Sequence, residues 1–239
     1  MRAFLSIAAA ASALVGVAHA DPSFSSNVGL TTDYTFRGIS QSNEGPAIQG
    51  GFDYANGLVY AGVWGSNVDF GAGDGSLEID LYGGLKGAIN DRMTGDVGVI
   101  GYFYPNASDD FAELDYVELY GKLGFQLTEQ FNLTGALFVS PEFTAELGTG
   151  IYAEISAAYQ FAPAFAVSGA VGLQSADDAD FDVGVDVDDN YTTWNLGVTY
   201  TPQMDYAQGF AIDLRYVGTD VDDVHVADDR AVFTIKRAM

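Results

Sequence analysis

The sequence predicts an all-β fold: a transmembrane antiparallel up-and-down β-barrel of about 12 strands. Three observations carry this prediction. Apolar and polar residues alternate over many segments, which is the period of a strand with one greasy and one polar face. The connections between those segments alternate between short and long, the pattern of barrels in Gram-negative outer membranes. A leader precedes the segments, and the only long apolar run, inside that leader, is short for a spanning helix.

The leader occupies residues 1–20. Arg2 supplies a basic start, residues 4–17 are an apolar stretch rich in Ala, and Ala18-His19-Ala20 is a small-x-small cleavage site before Asp21. Removing 20 of the 239 residues leaves 219, which form one domain, 21–239.

The strands are expected near 24–37, 47–55, 58–68, 77–86, 94–104, 116–126, 131–139, 151–161, 165–174, 191–200, 209–219 and 230–238. In the first, Phe24, Val28, Leu30, Tyr34 and Phe36 share one parity, against Ser25, Asn27, Thr31, Asp33 and Arg37 on the other. In the sixth, Val117, Leu119, Leu123 and Phe125 oppose Tyr116, Glu118, Tyr120, Lys122 and Gln126. In the ninth, Phe165, Val167, Val171 and Leu173 oppose Ser168 and Gln174. In the tenth, Trp194, Leu196, Val198 and Tyr200 oppose Thr193, Asn195 and Thr199. The third and fifth alternate poorly. Short turns fall near Asn56-Gly57, 87–93, 127–130, 162–164 and 201–208. Asn-Gly is a strong hairpin signal because such turns favour positive φ at both central positions. Long loops fall near 38–46, 69–76, 105–115, 140–150, 175–190 and 220–229. An even strand count puts both termini on the short-turn, periplasmic side.

Composition narrows the function. With no cysteine, disulfides and thiolate chemistry are excluded. The formal net charge of −24 disfavours nucleic-acid partners and favours cations. No cofactor motif is present: there is no phosphate-binding glycine loop on a strand-to-helix turn and no metal-spaced His/Glu pair.

The polar strand faces carry Asp33, Arg37, Asp53, Glu78, Asp80, Lys86, Glu118, Lys122, Glu154, Asp213 and Arg215. A charge facing lipid at the bilayer midplane costs roughly 2–4 kcal/mol, so these eleven are expected to line the lumen. They could line a water-filled pore, or pair with one another and fill the interior. Eight strands enclose a filled interior and sixteen leave a channel, so twelve favours a narrow pore over a plug.

Two loops are acidic throughout. Segment 175–190 holds Asp177, Asp178, Asp180, Asp182, Asp186, Asp188 and Asp189; segment 219–229 adds Asp220, Asp222, Asp223, Asp228 and Asp229. Calcium could use such carboxylates, but the spacing is not that of an EF-hand, and the loops read as solvated charge. His225 is the single histidine beyond the leader, and Ser140 or Ser156 would be the nucleophile of a barrel hydrolase; no spacing supports a triad, so no enzyme is expected. Tyr34, Phe36, Tyr54, Tyr60, Trp64, Tyr102, Tyr104, Tyr159, Phe161, Trp194, Tyr200 and Tyr216 lie near strand ends, where they are expected to form interfacial girdles.

Residues 26–41, SNVGLTTDYTFRGISQ, resemble the opening motif of the TorF family of porins, and 45–54, 60–70 and 78–84 follow in that family's order. The resemblance covers 26–84. It implies an outer-membrane barrel with a pore role, and no catalytic residue. One departure stands at the C-terminus, where such barrels usually end in an aromatic residue: here Phe233 is followed by six further residues.

The expectation is therefore an outer-membrane channel for passive diffusion of small hydrophilic solutes, with cations preferred. Its surroundings would be outer-membrane lipid and lipopolysaccharide, and its oligomeric state is left open. The alternatives are a non-conducting structural or binding barrel, and a membrane hydrolase.

Overall fold

The computed structural model describes residues 21–70, 75–105, 107, 113–177 and 190–239. Its strands in chain order are β1 (Ser23–Thr31), β2 (Thr35–Phe36), β3 (Ile39–Ser40), β4 (Ala47–Asn56), β5 (Val59–Asn67), β6 (Leu77–Asn90) and β7 (Met93–Phe103). They continue with β8 (Tyr116–Gln126), β9 (Phe131–Ser140), β10 (Gly150–Ala162), β11 (Phe165–Ala176), β12 (Asn190–Tyr200), β13 (Phe210–Thr219) and β14 (Arg230–Ala238). Twelve of them form a closed barrel in which each strand pairs antiparallel with its chain neighbour and β1 pairs with β14. β2 and β3 form a separate two-stranded hairpin. Closure pairs both edges of every barrel strand, which removes the exposed edge that an open sheet would present.

The strands form where alternation meets β-branched and aromatic residues. Val28, Leu30, Leu119, Leu123, Val171 and Leu196 all stand exposed on the outer face, as their parity predicts. Their neighbours Thr31, Glu118, Ser168, Gln174 and Thr193 are buried inside. The poor alternation of β5 and β7 has a simple cause: both faces carry apolar residues. Val97 and Val99 are exposed outside, while Trp64 and Tyr102 are buried inside.

The first strand departs from expectation. It ends at Thr31 rather than running to residue 37. Residues 32–46 instead form a long loop that carries the β2–β3 hairpin. The alternating pattern continued past Thr31 because Tyr34 and Phe36 pack into the barrel interior, not onto its outer face. The β4–β5 turn also shifts by one residue. Asn56 pairs with Val59, so the central residues are Gly57 and Leu58, and only Gly57 has positive φ, at 62°.

Candidate functional site: the barrel lumen

The 32–46 loop enters the lumen at the long-loop end. Its hairpin turns at Arg37 and Gly38, whose φ values are 48° and 84°. Positive φ at both central positions is what a two-residue hairpin with right-handed twist favours. A Cβ at residue 38 would also collide with the Thr219 methyl and the Gly218 carbonyl, so glycine is required there twice over. Arg37 occupies a conformation that a side chain rarely adopts, at a cost on the order of 1 kcal/mol.

Asp33 anchors the base of the loop. Ser40 Oγ and Ser42 Oγ donate to its Oδ1 at 2.6 and 3.0 Å, and Arg230 donates to Oδ2 at 3.1 Å. The Tyr34 hydroxyl donates to Glu78 Oε1 at 2.8 Å. Burial, then the charges of Glu78 and Asp80, hold the Tyr34 phenol well above its ordinary pKa, so it stays a donor.

At the tip, Arg37 crosses the barrel. Its Nη2 donates to both oxygens of Glu118 at 2.8 and 2.7 Å, and its Nη1 to Gln174 Oε1 at 2.6 Å. Around the ring from β1, β8 lies five strands away in one direction and β11 four in the other, so the contact lies nearly opposite the loop's origin. The guanidinium also sits 4.4 Å from the Tyr152 ring centroid and 4.6 Å from that of Phe36. Burial opposes the cation, but Glu118, Tyr102 and Tyr116 outweigh it, and Arg37 is held charged above its ordinary range.

The rest of this level is packed. Tyr34 meets Trp64 edge-on at 5.4 Å, Phe36 meets Tyr102 at 5.7 Å, Tyr102 stacks on Tyr116 at 4.4 Å, and Tyr116 meets Phe143 at 5.1 Å. Six of the twelve aromatics expected in girdles, Tyr34, Phe36, Tyr60, Trp64, Tyr102 and Tyr104, therefore belong to the interior. Tyr159, Phe161 and Tyr216 are exposed outside, and Tyr54, Trp194 and Tyr200 share the outward parity. An amphipathic ring serves either place; of the six inside, Tyr34, Tyr60 and Tyr102 donate to the carboxylates of Glu78, Asp96 and Glu118.

Each of the eleven charged candidates can now be placed. Glu78, Asp80 and Glu118 are buried at the loop level, and Asp80 Oδ1 has no hydrogen-bond partner. Asp53 is buried and accepts from the Tyr82 hydroxyl at 2.6 Å. Nearer the short turns, Lys86 and Lys122 are the direct cross-strand neighbours of Asp96. Lys122 Nζ lies 4.7 Å from the Tyr120 ring centroid and 5.1 Å from that of Phe138. Glu154 accepts from the Tyr152 hydroxyl at 3.0 Å. Asp213 accepts from Thr199 Oγ1 at 2.6 Å and pairs with Arg215, which also donates to Asn195 and Ser168. Asp33 and Arg37 belong to this interior as loop residues rather than strand residues.

Sequence reasoning missed three charged members of this interior. Asp96 is buried and accepts from the Tyr60 hydroxyl at 2.6 Å, while Tyr60 and Tyr120 hydroxyls bond each other. Lys236 shares the parity of Thr234, whose side chain meets Thr31 inside. Arg230 joins Asp33 and Glu44. Parity would have found Asp96 and Lys236, had β7 and β14 been scored residue by residue.

His225 faces Glu44 and Asp228, each at 3.3 Å, while Ser140 Oγ donates to the carbonyls of Val117 and Glu142. Residues 178–189 of the acidic segment lie outside the described residues. Among the described residues, no group of three or more His, Asp or Glu is placed to hold a metal ion.

Solved structures with a similar fold include porins. A KdgM porin superposes with a TM-score of 0.61 at 7% identity, covering 89% of this chain and 98% of its own. A NanC porin gives 0.56 at 12% identity, covering 90% and 98%. A KdgM porin in complex with disordered oligogalacturonate gives 0.58 at 5% identity, covering 90% and 96%. Identities this low establish the shared fold alone. Comparison with curated proteins finds no match. Residues 17–239 match the family described as "Bacterial protein of unknown function (Gcw_chp)", and the chain belongs to that family.

Proposed function

We propose that this protein is an outer-membrane channel for passive diffusion of small hydrophilic solutes, delivered by a leader cleaved after Ala20, and not an enzyme. One observation carries the reading: a closed twelve-stranded barrel has an apolar outer face and a charged interior. That is the arrangement a bilayer demands of a spanning barrel. The TorF resemblance and the porin neighbours agree with it. The lumen is lined by Asp33, Arg37, Asp53, Glu78, Asp80, Lys86, Glu118, Lys122, Glu154, Asp213 and Arg215, together with Asp96 and Lys236.

Cations are preferred. The charge excess of the chain is acidic, and Glu118 sits at the loop level with Arg37 as its counterion. Low-dielectric walls concentrate the field of a net acidic chain. The KdgM complex was solved with an acidic oligosaccharide; the acidic level here disfavours the same cargo.

Planar-bilayer recording tests both statements. Stable unitary currents are expected, with a reversal potential under a KCl gradient that reports cation preference and weakens at 1 M salt, where the Debye length falls to about 3 Å. Anion selectivity at low salt would defeat the charge argument. Absence of any current would favour a second reading, a non-conducting barrel, which the Arg37–Glu118 bridge across the lumen also supports.

A further inference from the structure

Arg37 is held by groups that belong mostly to the wall. Glu118, Gln174, Phe138 and Tyr152 stand on β8, β11, β9 and β10, and Tyr102 on β7 donates to Glu118 Oε2 at 3.1 Å. Glu118 is 1% exposed and the Arg37 side chain 5%. The loop that delivers Arg37 is tied to the wall by polar contacts of Asp33, Tyr34 and Glu44 and by the packing of Tyr34 on Trp64 and Phe36 on Tyr102, and its tip carries the positive φ described above. If the Arg37 side chain alone is removed, the receiving groups remain in place on the strands.

We propose that Glu118, Gln174, Tyr152 and Phe138 form a binding site for guanidinium-type organic cations, and that Arg37 is its tethered resident ligand. The site's role in permeation rests on the channel reading; binding itself does not. Three features select this ligand class. Two carboxylate oxygens within 2.8 Å of one guanidinium nitrogen, with an amide oxygen on the other, match a planar array of N–H donors. The rings of Tyr152 and Phe138, 4.4 and 5.2 Å from the guanidinium carbon, favour a weakly hydrated organic cation over a small inorganic one. Without Arg37, the Glu118 carboxylate left in the site disfavours an anionic ligand there. Lys122, which shares the Phe138 ring, marks the lower boundary of the site.

A tethered ligand acts at an effective concentration of about millimolar, so a free cation should compete only weakly with the native loop. Removing the tether should reveal the site. Purified Arg37→Ala in detergent is titrated with methylguanidinium chloride against matched NaCl, with binding followed by ligand-observed NMR. Folding is confirmed by the shift in gel migration on boiling; should Arg37→Ala fail to fold, Arg37→Gln carries the same test. The expected result is saturable binding to the variant, weakened at least about tenfold by adding Glu118→Gln, because a charge-assisted hydrogen bond is lost. The wild-type chain should bind far less at the same concentration. Equal binding with and without Glu118→Gln, or none to the Arg37 variant, overturns the site. Bilayer records separate the two claims: binding without any conductance removes the channel reading and leaves the site, whereas conductance with no binding removes the site alone.

Discussion

The two halves of the lumen are built on the same strands and differ in packing on β6, β8 and β10. On β6, Glu78 and Asp80 are buried, whereas Tyr82 and Lys86 are half-buried and Asn90 is exposed. On β8, Tyr116 and Glu118 give way to the half-buried Tyr120, Lys122 and Gln126. On β10, Tyr152 is buried while Glu154 and Ser156 are half-buried. Strand number sets the width of a barrel, and it is the same at both ends. The difference therefore comes from what the long loops fold inward. At that end the 32–46 loop supplies Tyr34, Phe36 and Arg37, and the wall answers with rings and carboxylates. Toward the short turns of β6, β8 and β10 the wall presents mixed charges on half-buried side chains, whereas on β12 and β13 Thr199, Ala211 and Asp213 are buried there as well.

Four measurements would break or sharpen this contrast. The largest effect should come from Glu118→Ala, which leaves the Arg37 guanidinium buried without its counterion. A loss of about 3–5 kcal/mol is expected by urea unfolding from lipid vesicles, against about 1 kcal/mol for Glu154→Ala. Equal losses would mean the two halves are equally packed. Next, Leu119→Arg should cost about 2–4 kcal/mol in the same assay, because the neighbour of Glu118 in sequence lies on the opposite face. A negligible cost would place that face outside the bilayer. Third, the chain has no cysteine, so single cysteines report without background. Ser156→Cys should react promptly with a charged thiol reagent, and Ser66→Cys slowly unless Arg37→Ala is added. Smallest, Lys122→Gln should leave stability nearly unchanged and move the reversal potential toward stronger cation preference; a move toward anions would show that Lys122 does not face the permeation path.

Much of this was legible in the sequence. The twelve strands, their connections and the outward parity of Leu119, Val171 and Leu196 follow from a period-two pattern, which is local information. The 32–46 loop was hidden for a physical reason. Tyr34 and Phe36 are as apolar as Val28 and Leu30, and alternation alone does not say whether an apolar row faces lipid or a packed interior. The Arg37-Gly38 pair was the available signal, since X-Gly between short β segments marks a tight hairpin. The lumenal aromatics were hidden for the same reason. Asp33 and Arg37 lie on the loop beyond β1 and not on a strand. The Arg37–Glu118 bridge, which joins residues far apart in sequence, has no local signature at all.

The closing seam bears on how such a barrel is made. β1 meets β4 from Ser23 to Thr31 but meets β14 only from Asn27 to Thr31, with Met239 and Ser26 extending the seam through paired backbone bonds. Every other junction joins chain neighbours and can zip as the polypeptide arrives; this one must wait for residues some two hundred positions later. Loop-closure entropy makes such a contact slow to form. Until it forms, β1 and β14 are both open templates for another chain. Assembly should therefore stall, and errors of pairing should arise, at the junction of first and last strands.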